Sequence, residues 1–92
     1  MEKKQLVNYL ERAFCVLVPV YYDHETRPAW RKYHVTEDAT EAREAYETAP
    51  DYLHATEDEN RENRRYKRAE MFLLYDHGKR KEADAIRAQY QF

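Results

Sequence analysis

The stretch from Phe14 to Tyr22, FCVLVPVYY, decides the fold prediction for this chain. It is the longest apolar run, and its nine residues are far fewer than the roughly 20 that a membrane-spanning helix needs. Valines at alternate positions from Val16 to Val20 favour a strand because β-branched side chains are stiff, and Pro19 would break a helix interior. We therefore predict a strand here. The proline indicates an edge position or a bulge because it removes a ladder donor.

The residues that follow extend this strand into a hairpin. Residues 23–28 are polar and turn-like, and residues 30–35, WRKYHV, have the aromatic and β-branched side chains of a second, antiparallel strand. Two strands alone are only marginally stable in water, so helices must cover one face of the hairpin.

The segment before the strand has the pattern of an amphipathic helix. Leu6, Leu10 and Leu17 recur at helical spacing, with Ala13 or Phe14 between them. We predict that this helix gives way to the strand near Phe14.

Three further helices are predicted after the hairpin. The first opens at Asp38, which is spaced from Glu41 as in a capping box, and it ends before Pro50. The second opens with a capping box at Thr56 and spans roughly residues 57–77. Gly78 follows as its left-handed C-cap. The last helix, residues 79–90, is expected to form a helical hairpin with the second.

These elements predict one small α+β domain over residues 1–92, in the order helix, strand, strand, helix, helix, helix. A chain of 92 residues has too little length to bury two cores. An all-α fold is the alternative, and it requires residues 16–22 to be an irregular connection.

The composition excludes several kinds of chemistry. The chain has no serine, one glycine and one cysteine, so it lacks the residues for a serine hydrolase, a glycine-rich phosphate loop or a zinc site with cysteine pairs. Cys15 lies in apolar surroundings that disfavour a thiolate. The four histidines are too widely spaced for metal ligation. His24 and His77 lie next to carboxylates in the sequence, as a general base would, but both fall at predicted loop or helix ends, where such residues occur for capping alone. We predict no enzyme, no cofactor and no metal site.

The N-terminal residues lack the apolar run and cleavage site of a secretory signal, and a single cysteine cannot form an internal disulfide. We expect a cytoplasmic protein without membrane contact.

Charge is strongly segregated along the chain. Residues 1–35 carry +2, residues 36–59 carry -8 and residues 60–92 carry +4. The acidic block is either a solvated helix face or a surface that meets a basic partner. Its candidate partner-binding residues are Glu41, Glu44 and Glu47.

A basic and aromatic cluster begins the long helix. Its arginines recur at three-to-four-residue spacing, which places them on one face for contacts with phosphates or a protein partner. The structural alternative is an internal network in which Arg61 pairs with Glu57. The candidate residues are Arg61, Arg64, Arg65, Tyr66 and Arg68.

Nine tyrosines are more than so short a chain can bury, and exposed tyrosine is typical of binding surfaces. We therefore predict a non-enzymatic binding protein that inhibits or adapts a protein or nucleoprotein complex by surface occlusion, with direct RNA or DNA contact as an option. Small, charge-polarised chains of this kind are typical of accessory proteins of phages and mobile elements, including counter-defence inhibitors of the anti-CRISPR kind. The alternatives are a nucleic-acid-binding module using residues 61–68 and a homo-oligomer that buries its own tyrosines.

Overall fold

A computed structural model describes all 92 residues and confirms the α+β class. None of its helices combines the length and the apolar character required to span a bilayer. The elements in chain order are β1 (Gln5–Leu10), β2 (Ala13–Tyr21), β3 (Ala29–Thr36), α1 (Ala39–Thr48), β4 (Leu53–His54), α2 (Glu57–Asp76) and α3 (Arg80–Tyr90).

The chain forms two compact units. The sheet unit comprises Met1–Tyr21 and Thr26–His54, and therefore all four strands and α1. The helical unit comprises Tyr22–Glu25 and Ala55–Phe92, and therefore α2, α3 and a short segment from between β2 and β3. That the chain is one domain stays a prediction.

The predicted N-terminal helix is wrong, because this segment is the strand β1. It pairs antiparallel with β2, from Gln5 opposite Leu17 to Leu10 opposite Ala13. The register shifts between Asn8 and Leu10, so Tyr9 is an extra residue in the strand. Such a bulge interrupts the two-residue alternation that identifies a strand in a sequence. The spacing of the leucines, which is also that of a helix, was then the only regular pattern in this segment.

Pro19 lies in the central strand of the sheet, whose order is β1-β2-β3. On one side it is paired with Trp30 of β3. On the other side, pairing with β1 ends at Leu17 and parallel pairing with β4 begins at Val20. Pro19 therefore occupies a gap in one ladder, where the N–H that it lacks is not needed for pairing. The β2–β3 register shift lies elsewhere, between Val16 and Leu17.

The core of the sheet unit lies between β2 and α1. Val16 and Val18 are buried there with Ala49 of the chain that follows α1, and the half-buried Tyr46 and Leu53 pack against them. Alanine dominates the inner face of α1, which allows the helix to approach the sheet closely. This packing supplies the covering helix that the hairpin was expected to need.

The helical unit is built as the local sequence predicts. The Thr56 hydroxyl accepts a hydrogen bond from the Glu59 N–H, and the Glu59 carboxylate accepts one from the Thr56 N–H, both at 3.1 Å. This capping box starts α2, which then packs against α3 as a helical hairpin. Gly78 follows α2 with a φ of 74°, in the left-handed region.

Replacing Gly78 by alanine is expected to destabilise the helical unit by about 1 kcal/mol, because the left-handed conformation brings the Cβ of an L-residue too close to its own backbone. A methyl group at this position meets no atom within 4 Å, so the cost is conformational rather than steric. Asparagine tolerates this backbone better, and Gly78→Asn should lose less. Urea unfolding followed by far-ultraviolet circular dichroism measures both. Equal stability of the alanine variant and the parent would contradict the conformation described here.

Candidate functional site

Tyr90 is the most deeply buried aromatic side chain of the helical unit, with 1% of its surface exposed. Its hydroxyl donates a short hydrogen bond to the Glu25 carboxylate and accepts one from the Asn63 amide at 3.0 Å. Burial and the bond to Glu25 together raise the pKa of Tyr90 to about 12. These contacts hold the segment Tyr22–Glu25 against α3.

His24 has a φ of 66°, which is unusual for a residue with a side chain. Its carbonyl accepts a 2.6 Å hydrogen bond from the Gln89 amide, and its ring lies 5.5 Å from the Tyr90 ring. The neighbouring Asp23 N–H donates to Asn60 at 2.9 Å. The Asp23-His24-Glu25 sequence thus has a structural use, which is to anchor this segment to the two helices.

The raised pKa of Tyr90 predicts a loss of stability in alkali. An unfolded tyrosine titrates near 10, whereas Tyr90 in the folded chain titrates near 12. Its contribution is therefore complete below pH 10 and is lost as the pH rises through 12, because the unfolded chain releases its proton first. We expect a decline of about 2 kcal/mol over this range.

Urea titrations of the parent and of Tyr90→Phe at several pH values test this expectation. The substitution leaves every other ionisable group in place, so the difference between the two proteins isolates Tyr90. Parallel pH profiles of the two proteins would contradict the prediction. The charged groups that act on the hydroxyl are Glu25 and, more weakly, Glu70, and Lys67 lies 4.0 Å from the Glu25 carboxylate and 3.5 Å from that of Glu70.

The three acidic candidates lie on α1 but differ in their surroundings. The Glu41 carboxylate accepts from the Thr36 hydroxyl at 2.8 Å and contacts the His34 ring at 3.0 Å. It therefore ties α1 to β3 and does not complete the predicted capping box, since Asp38 caps the helix through the Thr40 N–H. Glu44 and Glu47 are exposed on α1, with no ion pair.

The five basic and aromatic candidates of α2 do not form one surface. Arg61 lies 2.9 Å from Asp58 and 3.6 Å from Glu57, as the structural alternative predicted, and Arg65 lies 3.8 Å from Glu62. Exposed pairs of this kind contribute about 0.5 kcal/mol or less. The neighbouring carboxylates therefore offset much of the positive charge of Arg61 and Arg65.

Tyr66 faces a different part of the surface. With 68% of its surface exposed, it lines a concavity of about 420 Å³. The other lining residues include three carboxylates, and they are Tyr22, Asp58, Glu59, Glu62 and Asn63. The residues around this concavity are mainly acidic, so Tyr66 does not share a basic surface with the arginines.

Arg64 and Arg68 instead meet Arg87 of α3 around a second concavity of about 460 Å³, which we call the arginine groove. It lies between the middle and C-terminal part of α2 and the end of α3, and its volume is in the usual range of ligand sites. The residues that line it are Arg64, Arg68, Met71, Phe72, Tyr75, Arg87, Gln91 and Phe92.

The guanidinium groups of the groove are held by aromatic rings and carbonyls. Arg64 donates to the Tyr90 carbonyl at 2.8 Å and lies 4.7 Å from the centre of the Phe92 ring. Arg68 lies 5.9 Å from the centre of the Phe72 ring, and Arg87 Nε donates to the Phe92 carbonyl at 3.4 Å. None of the three arginines has an Asp or Glu side chain within ion-pair distance.

Sequence reasoning therefore identified two of the three groove arginines but missed Arg87 and the two phenylalanines. Arg64, Arg68 and Phe72 follow one another at intervals of four residues, and this helical stripe is visible in the sequence. Arg87 and Phe92 join them only because α3 packs back on α2, which no local pattern indicates.

The face of the sheet turned away from α1 is only partly accessible. Trp30 and Val35 of β3 are 40% and 46% exposed on it, whereas their pairing partners Pro19 and Cys15 are fully buried. At its edge the Lys32 ammonium donates to the Tyr9 hydroxyl and lies 4.3 Å from the ring centre. This hydrogen bond raises the pKa of Lys32.

No group of histidine, cysteine and carboxylate side chains in the structure is arranged to hold a metal ion. Comparison of the chain with protein-family models, with curated proteins and with solved structures found no match.

Proposed function

We propose that the protein is a non-enzymatic binding protein that inhibits or adapts a protein or nucleoprotein machine by occupying its surface, and that the arginine groove holds this partner. The observation that carries the proposal is that three guanidinium groups, none of them paired with an Asp or Glu side chain, line one groove. Arginine and aromatic side chains are the types that contribute most at interfaces. The small size and the segregated charge of the chain further support an inhibitor of the counter-defence kind.

A nucleic-acid-binding module is the alternative. Several phosphate contacts would need a continuous basic face, but Arg61 and Arg65 are paired with carboxylates. The helical unit holds nine Lys and Arg against ten Asp and Glu, whereas nucleic-acid-binding domains usually carry a basic excess. These charges favour a protein partner.

Affinity capture from a bacterial lysate, divided into nuclease-treated and untreated halves, tests the proposal. The groove variant is Arg68→Gln/Arg87→Gln, and the matched control is Arg61→Gln/Arg65→Gln, which also removes two charges. We expect defined proteins that survive nuclease, are lost with the groove variant and bind again when purified. Capture that disappears with nuclease would favour the nucleic-acid module, and equal capture by both variants would contradict the groove.

The acidic residues of α1 are proposed to guide the approach of a basic part of the partner. Glu44→Gln/Glu47→Gln is expected to slow association and to flatten its dependence on salt, because exposed charges act mainly on the encounter rate. Glu41 is left unchanged because it ties α1 to β3. Stopped-flow or surface-plasmon kinetics on the purified partner measure the rate, and unchanged kinetics would leave the acidic block as a solvated face.

A further inference from the structure

We infer that the arginine groove binds a short acidic segment of a protein, with carboxylates on the three guanidinium groups and an apolar side chain against Phe72 and Phe92. This inference rests on the proposed function and names the chemistry of its partner. It follows from the charge, the apolar lining and the limited extent of the groove.

The groove contains three guanidinium groups and no Asp or Glu side chain that pairs with them, and Arg87 Nε lies 3.4 Å from the Phe92 oxygen. A guanidinium group has five N–H donors, and Arg64 uses one of them on the Tyr90 carbonyl. Arg68 has only its contact with the Phe72 ring. Asp84 accepts a hydrogen bond from the hydroxyl of Tyr75, which lines the groove, and its carboxylate also lies 3.9 Å from Arg80. The free donors are therefore available to carboxylates, which arginine can bind through two parallel hydrogen bonds.

The apolar part of the groove calls for an apolar group on the ligand. Phe72 is 52% exposed although it is a large hydrophobic residue, and the Met71 side chain lies beside it in the lining. An aromatic or aliphatic side chain placed here would remove Phe72 from water while its flanking carboxylates meet the arginines. Methionine adapts its shape to different apolar partners, which suits a peptide site.

The extent of the groove favours a peptide over a nucleic acid. Proteins that bind nucleic acid commonly neutralise about 6 to 10 phosphates along the strand. Here the positive charge ends after three arginines, and the next ones along α2 are paired with Asp58 and Glu62. A long polyanion would meet these carboxylates, whereas a short acidic segment fits between them. Recognition of acidic motifs by clustered arginines is a common mode of peptide binding.

Fluorescence anisotropy with a labelled peptide, Gly-Glu-Asp-Phe-Glu-Asp-Gly, tests the inference directly. The matched probes are the same peptide with Gln and Asn in place of Glu and Asp, the peptide with Ala in place of Phe, and single-stranded oligothymidylate. The protein variants are Arg68→Gln/Arg87→Gln, the charge-preserving Arg68→Lys/Arg87→Lys, and the control Arg61→Gln/Arg65→Gln. Arg64 is not changed because it also holds the Tyr90 carbonyl, and circular dichroism verifies that each variant is folded.

We expect the acidic peptide to bind about tenfold more tightly than the amide peptide, and the groove variant to lose about tenfold in affinity. The lysine variant should fall between it and the parent because it keeps the charge but loses the paired hydrogen bonds. The control should remain within about twofold. Tighter binding of oligothymidylate, or equal affinities of the groove and control variants, would overturn the inference.

Sedimentation at several concentrations tests for another occupant of the groove, the acidic α1 of a second copy. Self-association that is lost in the groove variant would overturn the inference in favour of that occupant. Failure of the peptide alone is distinguishable from failure of the proposed function. If a nuclease-resistant partner is still captured through the groove but no acidic peptide binds, the inference is wrong and the proposed function stands.

Discussion

Tyr90→Ala is expected to lower the free energy of unfolding of the helical unit by about 3 to 5 kcal/mol, the usual cost of deleting a buried aromatic ring. The ring is nearly inaccessible to solvent and stacks against Phe92 at 5.7 Å. Its hydroxyl joins Asn63 on α2 to Glu25, so the deletion also removes one hydrogen bond from each of these two side chains. The loss should be visible as early unfolding of α2 and α3 in urea.

Two matched variants separate the contributions to this loss. Tyr90→Phe keeps the ring and should cost about 1 to 2 kcal/mol, because only the hydrogen bonds are removed. Tyr66→Ala deletes an exposed tyrosine of the same unit and should cost about 0.5 kcal/mol or less. Hydrogen exchange of the α3 amides gives a second measure. A loss for Tyr90→Ala no larger than that for Tyr66→Ala would show that the burial described here is wrong.

Val18→Ala is expected to destabilise the sheet unit by about 2 to 3 kcal/mol. Val18 is fully buried in β2 and packs in the core formed with α1, so its removed methyl groups leave a cavity. Trp30 is the only tryptophan of the chain and lies on β3, so its fluorescence reports on the unfolding of this sheet.

Val35→Ala is the matched control for this prediction. The side chain has the same chemistry and also lies in the sheet, but it is 46% exposed on the opposite face. Its replacement should cost less than about 1 kcal/mol because little buried area is lost. Equal losses for the two valines would contradict the placement of the core between β2 and α1.

The parts of the fold that depend on local chemistry were predictable from the sequence. Thr56 and Glu59 begin α2 because their side chains satisfy each other's backbone donors, and Gly78 follows it because it tolerates a positive φ. The strand predicted over residues 14–22 is present as β2, Ala13–Tyr21, but it is central in the sheet and not at an edge. In each case the deciding interaction lies within a few residues.

The parts that depend on distant contacts were not predictable. β1 owes its conformation to pairing with β2, and the bulge at Tyr9 hides its alternation. β4 has only two residues and exists because Val20 and Tyr21 offer it a parallel partner. The arginines of α2 looked equivalent in the sequence. In the structure Arg61 and Arg65 pair with carboxylates of their own helix, whereas Arg64 and Arg68 lie in the groove beside α3.

The link between Glu25 and Tyr90 has a consequence for the synthesis of the chain on the ribosome. The two residues are 65 positions apart, so at about 5 to 20 residues per second Glu25 emerges roughly 3 to 13 s before its partner. In that interval β2 and β3 can pair, since both flank the segment and are near each other in sequence. The His24 backbone, by contrast, acquires the Gln89 bond that holds its left-handed conformation only after α3 has been made. The helical unit is thus completed by a residue pair that closes late, around a segment that was translated early.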